Sequence, residues 1–219
     1  MAKKVFIGVG HGGKDPGAVA NGIKEKDANL QIALTVQEQL SRHGVEVKLS
    51  RKKDEEDTLA QEIAECNAFK PDLAVDIHNN AGGGDGAEAF YHYKGGKSKT
   101  LAQNILKQLT AIGQNSRGAK IRKGANGQDY YGFIRETDAP SVIVECAFLD
   151  NKKDVTFINT VKKQQAAGAA IAKGILKTLG ISYVAEKLYR VQVGEPMPKS
   201  EAQALLKKLK KEGFEGSIV

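Results

Sequence analysis

Short apolar runs alternate with longer segments of helical periodicity along most of the chain. Strands are predicted where apolar and β-branched residues run between glycine, proline or asparagine. The predicted strands cover residues 5–9, 45–49, 73–78, 87–93 and 141–149, with a short edge strand over residues 131–135. The predicted helices run from about residue 26 to 42, from a cap at Asp57 or Thr58 to residue 69, across residues 101–112, and from about residue 154 to 179. This alternation predicts an α/β fold, with helices on both faces of a mostly parallel sheet of about six strands.

The same pattern divides the chain into a large domain and a small appendage. Residues 1–182 contain the alternating strands and helices, residues 183–187 are predicted to be a linker, and residues 188–219 follow as a separate β-α-β segment. Within the large domain, the polar and glycine-bearing residues 115–128 predict a loop. Such a loop is long enough to form a wall or a lid over a site.

The composition is that of an ordinary globular protein, with 41% hydrophobic and 27% charged residues in 219. No apolar run approaches the ~20 residues that a membrane span needs. Residues 1–4 have the charge of a signal peptide, but the apolar run at residues 5–9 is too short for its core, so no signal peptide is predicted. Cys66 and Cys146 lie in apolar patterns and form no disulfide framework, which favours synthesis in the reducing cytoplasm.

The glycine-rich loop that follows the first predicted strand allows three interpretations. It is a simple turn, a dinucleotide-binding G-x-G-x-x-G made by Gly8, Gly10 and Gly13, or a metal-binding loop that contains His11. The nucleotide motif needs a helix that opens at once, whereas here the loop continues past residue 17. The second strand also ends without an acidic residue for a ribose. The turn and the metal loop therefore remain.

Three further residues have unusual positions. His78 and Glu145 fall at the carboxyl ends of predicted strands, as His11 does, and Glu25 opens the first long helix. Taken singly, each has an ordinary explanation: a hydrogen-bonded core histidine, a buried ion pair, and compensation of the helix dipole. Together they meet at the edge of an α/β sheet where ligands bind. Two imidazoles and one carboxylate with an open position are typical of a catalytic zinc site, and a carboxylate that does not bind the metal serves as its general base.

These residues lie in motifs that resemble one family. GHGGKDPGA at residues 10–18, DIHNN at residues 76–80 and PSVIVECAFLDN at residues 140–151, with Glu25 at the head of the first helix, resemble the zinc-dependent N-acetylmuramoyl-L-alanine amidases. The resemblance covers about residues 4–179. It implies one Zn²⁺ per chain. It also implies cleavage of the amide between the lactyl group of N-acetylmuramic acid and the L-alanine of the stem peptide in peptidoglycan.

The resemblance also implies roles for individual residues. His11, Glu25 and His78 are the expected zinc ligands, and Glu145 is the expected catalytic glutamate. The sequence departs from the family at Asp76, where a small residue, often serine, is usual. Asp76 shares a strand face with His78, so it is either a hydrogen-bond acceptor for that imidazole or an ion-paired surface residue.

Two other polar residues of these motifs have less direct roles. Asn80 matches an asparagine of the family and is expected to orient substrate or a loop. Asp15 is expected to fix the turn that carries His11 rather than to touch metal.

The appendage resembles the first half of a SPOR domain, a small module that binds glycan. Residues 188–193 alternate as a strand, Ser200 is predicted to cap a helix through about Lys211, and residues 214–219 are compatible with another strand. About 35 residues hardly bury a core alone. The segment is therefore half a module that a second chain completes in a dimer, part of a longer chain, or a tail with no binding role.

The net charge of +7 and the pI near 9.2 favour a polyanionic partner. No groove-reading motif is present and aromatic residues make up only 6%, which argues against nucleic acid. An anionic wall polymer fits the charge, as does a basic surface that is only solvated. Action on the cell wall, either in mother-cell lysis during sporulation or in phage or prophage lysis, is the expectation. The alternatives are a non-catalytic wall-binding zinc protein and a wall peptidase or deacetylase.

Overall fold

A six-stranded sheet forms the centre of the larger of two units. The computed structural model describes residues 2–185, 195 and 197–213. The larger unit is Met1–Val184 and the smaller is Ala185–Val219. In chain order the strands are β1 (Lys4–Val9), β2 (Val19–Ala20), β3 (Ile23–Lys24), β4 (Glu46–Leu49), β5 (Leu73–Asn80), β6 (Ala87–Tyr91), β7 (Ser116–Lys120) and β8 (Ser141–Phe148). The sheet has the order β4-β1-β5-β8-β6-β7, and β2 and β3 form a separate small ribbon.

The sheet is mostly parallel, with one reversal. Strand β6 runs antiparallel to β8, and the other pairs in the sheet are parallel. The predicted fold class is therefore confirmed. The carboxyl ends of β1, β5 and β8 meet at one edge, because these three strands are neighbours and run in the same direction.

Helices cover both faces of this sheet. They are α1 (Glu25–Arg42), α2 (Leu59–Phe69), α3 (Lys97–Ala111), α4 (Gly132–Glu136) and α5 (Val161–Leu179), and the smaller unit contains α6 (Lys199–Lys211). The long helices α1, α3 and α5 pack on one face, over a large core that includes Ile7, Ile77 and Val144. On the other face α2 and α4 cover a small core that includes Phe6, Phe90 and Phe133.

Side chains alternate between the two faces of the sheet, and this alternation determines which residues lie at the shared carboxyl edge on the face covered by α2 and α4. His78 pairs with Glu145 in the register of β5 and β8, and these side chains lie on the same face as the small core. Both residues are half-buried, because α2 and α4 cover only the lower part of that face. The fold therefore leaves an open polar edge above a small apolar core.

Three elements differ from the sequence-based prediction. Residues 116–120, predicted as loop, form the strand β7. This strand lies at the edge of the sheet and pairs on one side, so its sequence SRGAK is polar and lacks the apolar pattern of a central strand. The short edge strand predicted over residues 131–135 is wrong. The helix α4 (Gly132–Glu136) lies there, and it turns the adjacent residues Phe133 and Ile134 into the same core.

The last long helix also begins later than predicted. It starts at Val161, where the Thr160 side chain accepts from Lys163 N, and a separate 3₁₀ turn covers Asp154–Phe157. The Asp154 carboxylate accepts from Gly86 N at 2.9 Å and from Phe148 N at 2.6 Å. After the 3₁₀ turn the backbone is extended at Thr160, with φ of −139° and ψ of 153°, so the helix begins only at Val161.

In the smaller unit, α6 is present as predicted, but its N-cap is Pro198, and Ser200 lies inside its first turn. The predicted strands at residues 188–193 and 214–219 lie outside the described residues. Among the residues that the structure describes, no helix combines the length and the apolarity needed to cross a membrane.

Replacing Gly174 by alanine is expected to destabilise the larger unit, although alanine has a higher helix propensity than glycine. A β-carbon at Gly174 would lie 2.6 Å from Ile105 Cα and 2.7 Å from Ile105 N, so α5 and α3 would have to separate. Overpacking costs roughly 1–3 kcal/mol, whereas propensity favours alanine by about 1 kcal/mol, and contact with backbone places the cost at the upper end. Urea unfolding should show a net loss of about 1–2 kcal/mol. Ala166→Gly, at an exposed position of the same helix, measures the effect of helix propensity alone. A Gly174→Ala variant more stable than the wild type would contradict the close packing of α5 on α3.

Candidate active site

His11 lies in the loop that follows β1 and is held in an unusual backbone conformation, with φ of 64°. The loop closes through the pair Gly12 and Asp15, whose backbone groups bond to each other at 2.9 and 3.0 Å. Asp15 Oδ2 lies 2.7 Å from His11 Nδ1. The other ring nitrogen, Nε2, lies 3.2 Å from Glu25 Oε1. The turn therefore aims one nitrogen of His11 at the head of α1.

A buried arginine supports this loop from below. Arg51 is 2% exposed, and it donates to the carbonyl oxygens of Val9 at 3.0 Å, Gly10 at 3.3 Å and Lys26 at 2.8 Å. These bonds join the loop to the first turn of α1. This role of Arg51 was not predicted from the sequence, since bonds from one side chain to distant carbonyl groups leave no local pattern.

Glu25 is the central residue of the site. Its carboxylate accepts from Ala18 N at 2.9 Å and from Asn79 N at 3.1 Å, and it lies between the rings of His11 and His78. Burial raises the pKa of Glu25, but hydrogen bonds with the two imidazoles outweigh that effect and hold the pKa well below its usual range. Glu25 is therefore ionised, although only 4% of its surface is exposed.

His78 meets carboxylates through both ring nitrogens. Nδ1 lies 3.1 Å from Glu25 Oε1, and Nε2 lies 3.2 Å from Asp76 Oδ2. Burial lowers the pKa of His78, but the charge of Asp76 and the hydrogen bonds to both carboxylates raise it well above the ordinary value. Gly10 faces the ring, and a β-carbon there would lie 2.2 Å from His78 Cε1. Glycine at position 10 is therefore required by the imidazole.

His11, Glu25 and His78 fit a metal ion. Each offers one donor atom, and the three atoms lie within 4.8 Å of one another. The outer nitrogen of each imidazole is held by a separate aspartate, which leaves the inner nitrogens to face the shared space. Two imidazoles and one carboxylate, oriented by further carboxylates, are the donor set of a zinc site with an open position.

Glu145 lies one strand away from these donors. It is the register partner of His78 on β8, and its Oε2 is buried without a hydrogen-bond partner among the described residues. Burial raises the pKa of Glu145 to about 7, although the charge of His78 acts in the opposite direction. A carboxyl group that titrates near neutral pH both accepts and returns a proton, which is the property of a general acid–base catalyst.

Comparison with known proteins agrees with this geometry. The family Amidase_3, described as N-acetylmuramoyl-L-alanine amidase, matches residues 5–177. The sporulation-specific N-acetylmuramoyl-L-alanine amidase of Bacillus subtilis is 31% identical over 221 residues, which cover 99% of this chain and 84% of that protein. The endolysin of Bacillus phage SPP1 is 37% identical, over 82% of this chain and 69% of its own. The chain belongs to the N-acetylmuramoyl-L-alanine amidase family.

The structural comparison gives the same answer. The catalytic domain of the N-acetylmuramoyl-L-alanine amidase CwlV from Paenibacillus polymyxa superposes with a TM-score of 0.73 at 33% identity, over 82% of this chain and 99% of that one. The family predicted from the motifs is thereby confirmed, and the chain is an amidase of bacterial peptidoglycan.

Asn80, at the end of β5, lies beside this site and makes no contact with the three donors. Its Nδ2 donates to Glu88 Oε1 at 3.0 Å, and its Oδ1 accepts from Ala81 N at 2.8 Å. It therefore orients a neighbouring carboxylate and the start of the loop after β5. The other two histidines of the amidase, His43 and His92, lie elsewhere and pack against Tyr183 and Tyr93.

A second buried carboxyl group, not predicted from the sequence, lies behind Asp76. A β-carbon on Gly8 would lie 1.9 Å from Glu62 Oε1 and 2.7 Å from Asp76 Oδ1, so both oxygens approach one point. Neither oxygen has a hydrogen-bond partner among the described residues. Burial and the charge of Asp76 raise the pKa of Glu62 well above its ordinary value. We expect a proton retained by Glu62 to supply the donor that Asp76 Oδ1 lacks.

Replacing Glu62 by glutamine is expected to flatten the dependence of amidase stability on pH. The raised pKa means that the contribution of Glu62 is complete below the unfolded-state pKa of about 4.3 and is lost as the pH rises through the folded-state pKa. Glutamine keeps a donor for Asp76 and does not titrate. As the pH rises above about 5, the wild-type free energy of unfolding should fall more steeply than that of the variant, by up to about 1.4 kcal/mol per pH unit.

This difference is measured by urea unfolding with a chelator present, so that metal binding does not contribute. Glu65→Gln, on the same helix but with a half-exposed side chain that pairs with Lys48, controls for the loss of a carboxylate. Parallel pH curves for the wild type and Glu62→Gln would show that Glu62 is not protonated in the folded state.

Proposed function

We propose that the amidase is zinc-dependent and that one Zn²⁺ is held by His11, Glu25 and His78. The reaction is hydrolysis of the amide between the lactyl group of N-acetylmuramic acid and the L-alanine of the stem peptide. The observation that carries the proposal is that three donor atoms lie within 4.8 Å of one another. Two of them belong to imidazoles whose other nitrogen already lies within hydrogen-bond distance of an aspartate. Family membership supports the reaction.

When bound, zinc polarises the scissile carbonyl and lowers the pKa of the attacking water towards about 7. Glu145 then takes the proton of that water and returns it to the leaving amine. Its raised pKa suits both steps, because the protonated and ionised forms are both populated near neutral pH. The second transfer requires that the leaving amine lie beside Glu145.

Asp15 and Asp76 are proposed as positioning residues. Each carboxylate lies within hydrogen-bond distance of the outer nitrogen of one imidazole, and this contact fixes which ring nitrogen carries the proton and how the ring is turned. Asp76 is buried at 3% exposure, which favours this role over that of a surface residue. Arg51 acts further away, by holding the loop that presents His11.

The biological setting of the reaction is the bacterial cell wall. The similarity to a sporulation-specific amidase and to a phage endolysin supports action in mother-cell lysis or in phage lysis. The charge of +7 suits an anionic wall polymer as a further partner. For residues 188–219, glycan binding by half a SPOR module that is completed in a dimer stays a prediction, beside a tail without a binding role.

Digestion of purified peptidoglycan tests the proposed reaction directly. The amidase should release stem peptides with a free L-alanine amino group, lose this activity with a chelator, and regain it with zinc, as followed by mass analysis of the fragments. Deacetylated sugars or internally cut peptides would point to a deacetylase or a peptidase. An intact wall that retains the zinc-loaded protein would point to a binding module.

Two variants separate metal binding from proton transfer. Glu145→Gln should keep one zinc per chain and lose turnover by about 10²- to 10⁴-fold, because it removes only the acid–base group. Asp76→Ser should instead weaken zinc binding by about 10- to 100-fold, because His78 loses its acceptor. Zinc content and competition with a chromogenic chelator measure the first property, and peptidoglycan turnover measures the second.

Glu38→Gln, at an exposed position of α1, is the control for the change of charge. Loss of zinc from Glu145→Gln would make Glu145 a metal ligand, and unchanged turnover would exclude it as the acid–base group. Unchanged zinc affinity in Asp76→Ser would remove Asp76 from the positioning residues.

A further inference from the structure

A row of polar positions crosses four neighbouring strands at the open edge of the sheet. His78 on β5 pairs with Glu145 on β8, which pairs with Glu88 on β6. Glu88 pairs with Gly118 on β7, next to Arg117. Because neighbouring strands lie about 4.8 Å apart, Glu88 lies about 10 Å from His78, with Glu145 between them.

Glu88 is a buried carboxylate that holds two cations. It is 5% exposed, and it accepts from Arg117 Nε at 2.9 Å and from Lys120 Nζ. Its other oxygen accepts from Asn80 Nδ2 at 3.0 Å. Burial raises the pKa of Glu88, but the bonds from Lys120 and Arg117 outweigh that effect and lower it. Two cations on one carboxylate leave one positive charge uncompensated.

The two cations remain accessible and have unused donors. The side chains of Arg117 and Lys120 are 38% and 35% exposed. Arg117 is fixed through Nε, and its Cζ lies 4.9 Å from the centre of the Phe148 ring. Its terminal nitrogens, Nη1 and Nη2, have no hydrogen-bond partner within the described part of the chain. A fixed guanidinium with both terminal nitrogens unused is preorganised for a carboxylate.

We propose that Arg117 and Lys120 form a subsite that binds a free carboxylate of the stem peptide, on the leaving-group side of the scissile amide. The inference rests on the proposed function, in which Glu145 returns a proton to the leaving amine. That amine lies beside Glu145, and the peptide continues from it. In the row across the sheet, the position beyond Glu145 on the side away from His78 is Glu88, with its two cations.

The reach of the peptide agrees with this placement. The second residue of a stem peptide is joined onward through its side-chain carboxyl group, so its α-carboxylate is the first one along the peptide that can be free. An extended chain covers at most about 3.3–3.6 Å per residue, which places this group about 7 Å from the scissile amide. With the scissile amide beside Glu145, Glu88 lies one strand spacing away, about 4.8 Å, and the cations that it holds lie about 3 Å further on. A carboxylate about 7 Å along the peptide therefore comes within hydrogen-bond distance of Arg117 and Lys120.

The subsite should therefore distinguish peptidoglycans by whether the second residue of the stem peptide carries a free α-carboxylate or a primary amide. A free α-carboxylate carries the charge that Arg117 and Lys120 match, whereas a primary amide at the same position is neutral and brings its own donors towards theirs. The amidase should prefer the carboxylate form. Because the contact lies away from the reacting atoms, the preference should appear mainly in KM.

The test compares two soluble muramyl peptides that differ only in this group, carboxylate against primary amide. With the zinc-loaded full chain, kcat/KM should be about 10- to 100-fold higher for the carboxylate substrate. Arg117→Gln should remove most of that preference by raising KM for the carboxylate substrate alone. Arg117→Lys keeps the charge and the ion pair with Glu88 and should retain an intermediate preference, which makes the result independent of any folding defect in the glutamine variant.

Lys107→Gln, an exposed lysine of α3 outside the row, controls for general attraction of an anionic substrate and should keep the wild-type ratio. Equal kcat/KM for the two substrates in the wild type would overturn the subsite while leaving the amidase intact. A loss of rate in Arg117→Gln that is equal for both substrates would also overturn it. Failure to cut either substrate at the lactyl–alanine amide would instead contradict the proposed function itself.

Discussion

The structure of this site depends on one buried anion, the carboxylate of Glu25. Removing an ionised carboxylate from water costs several kcal/mol unless charges and hydrogen bonds replace the solvent. Here two backbone N–H groups and two imidazoles replace it, and they come from the loop after β1, which carries His11 and Ala18, and from β5. Each of these segments must therefore reach the same point, at the first residue of α1. The loop, the helix start and the strand end are fixed together.

The glycines of the first loop follow from the same constraint. G-x-G-x-x-G is often a phosphate-binding sequence, in which glycine lets a ligand approach the backbone. In this chain the groups that approach Gly8 and Gly10 are side chains of the protein: the carboxyl groups of Glu62 and Asp76, and the ring of His78. The same residue type at the same spacing serves two chemistries. The distinction lies in whether a helix opens at once after the loop.

Much of the fold and the placement of the site residues could be predicted from the sequence, because the signals are local. Apolar runs mark the central strands, and parallel strands bring their carboxyl ends together, so His11, His78 and Glu145 arrive at one edge. The residues that support the site could not be predicted in this way. The roles of Arg51, Glu62 and Glu88 depend on partners far away in the chain. The edge strand β7 and the short helix α4 were missed because each is brief and is stabilised mainly by tertiary packing.

The position of β8 has a consequence for how the amidase is made. This strand is the last of the sheet in the sequence, yet it is inserted between β5 and β6, and it carries Glu145. A nascent chain that has not reached residue 141 lacks both Glu145, the proposed general base, and the strand pairing that joins the two halves of the sheet. Such non-local pairing forms late and slowly in folding. An amidase of peptidoglycan thus acquires this edge of its site only when nearly the whole larger unit has been synthesised and folded.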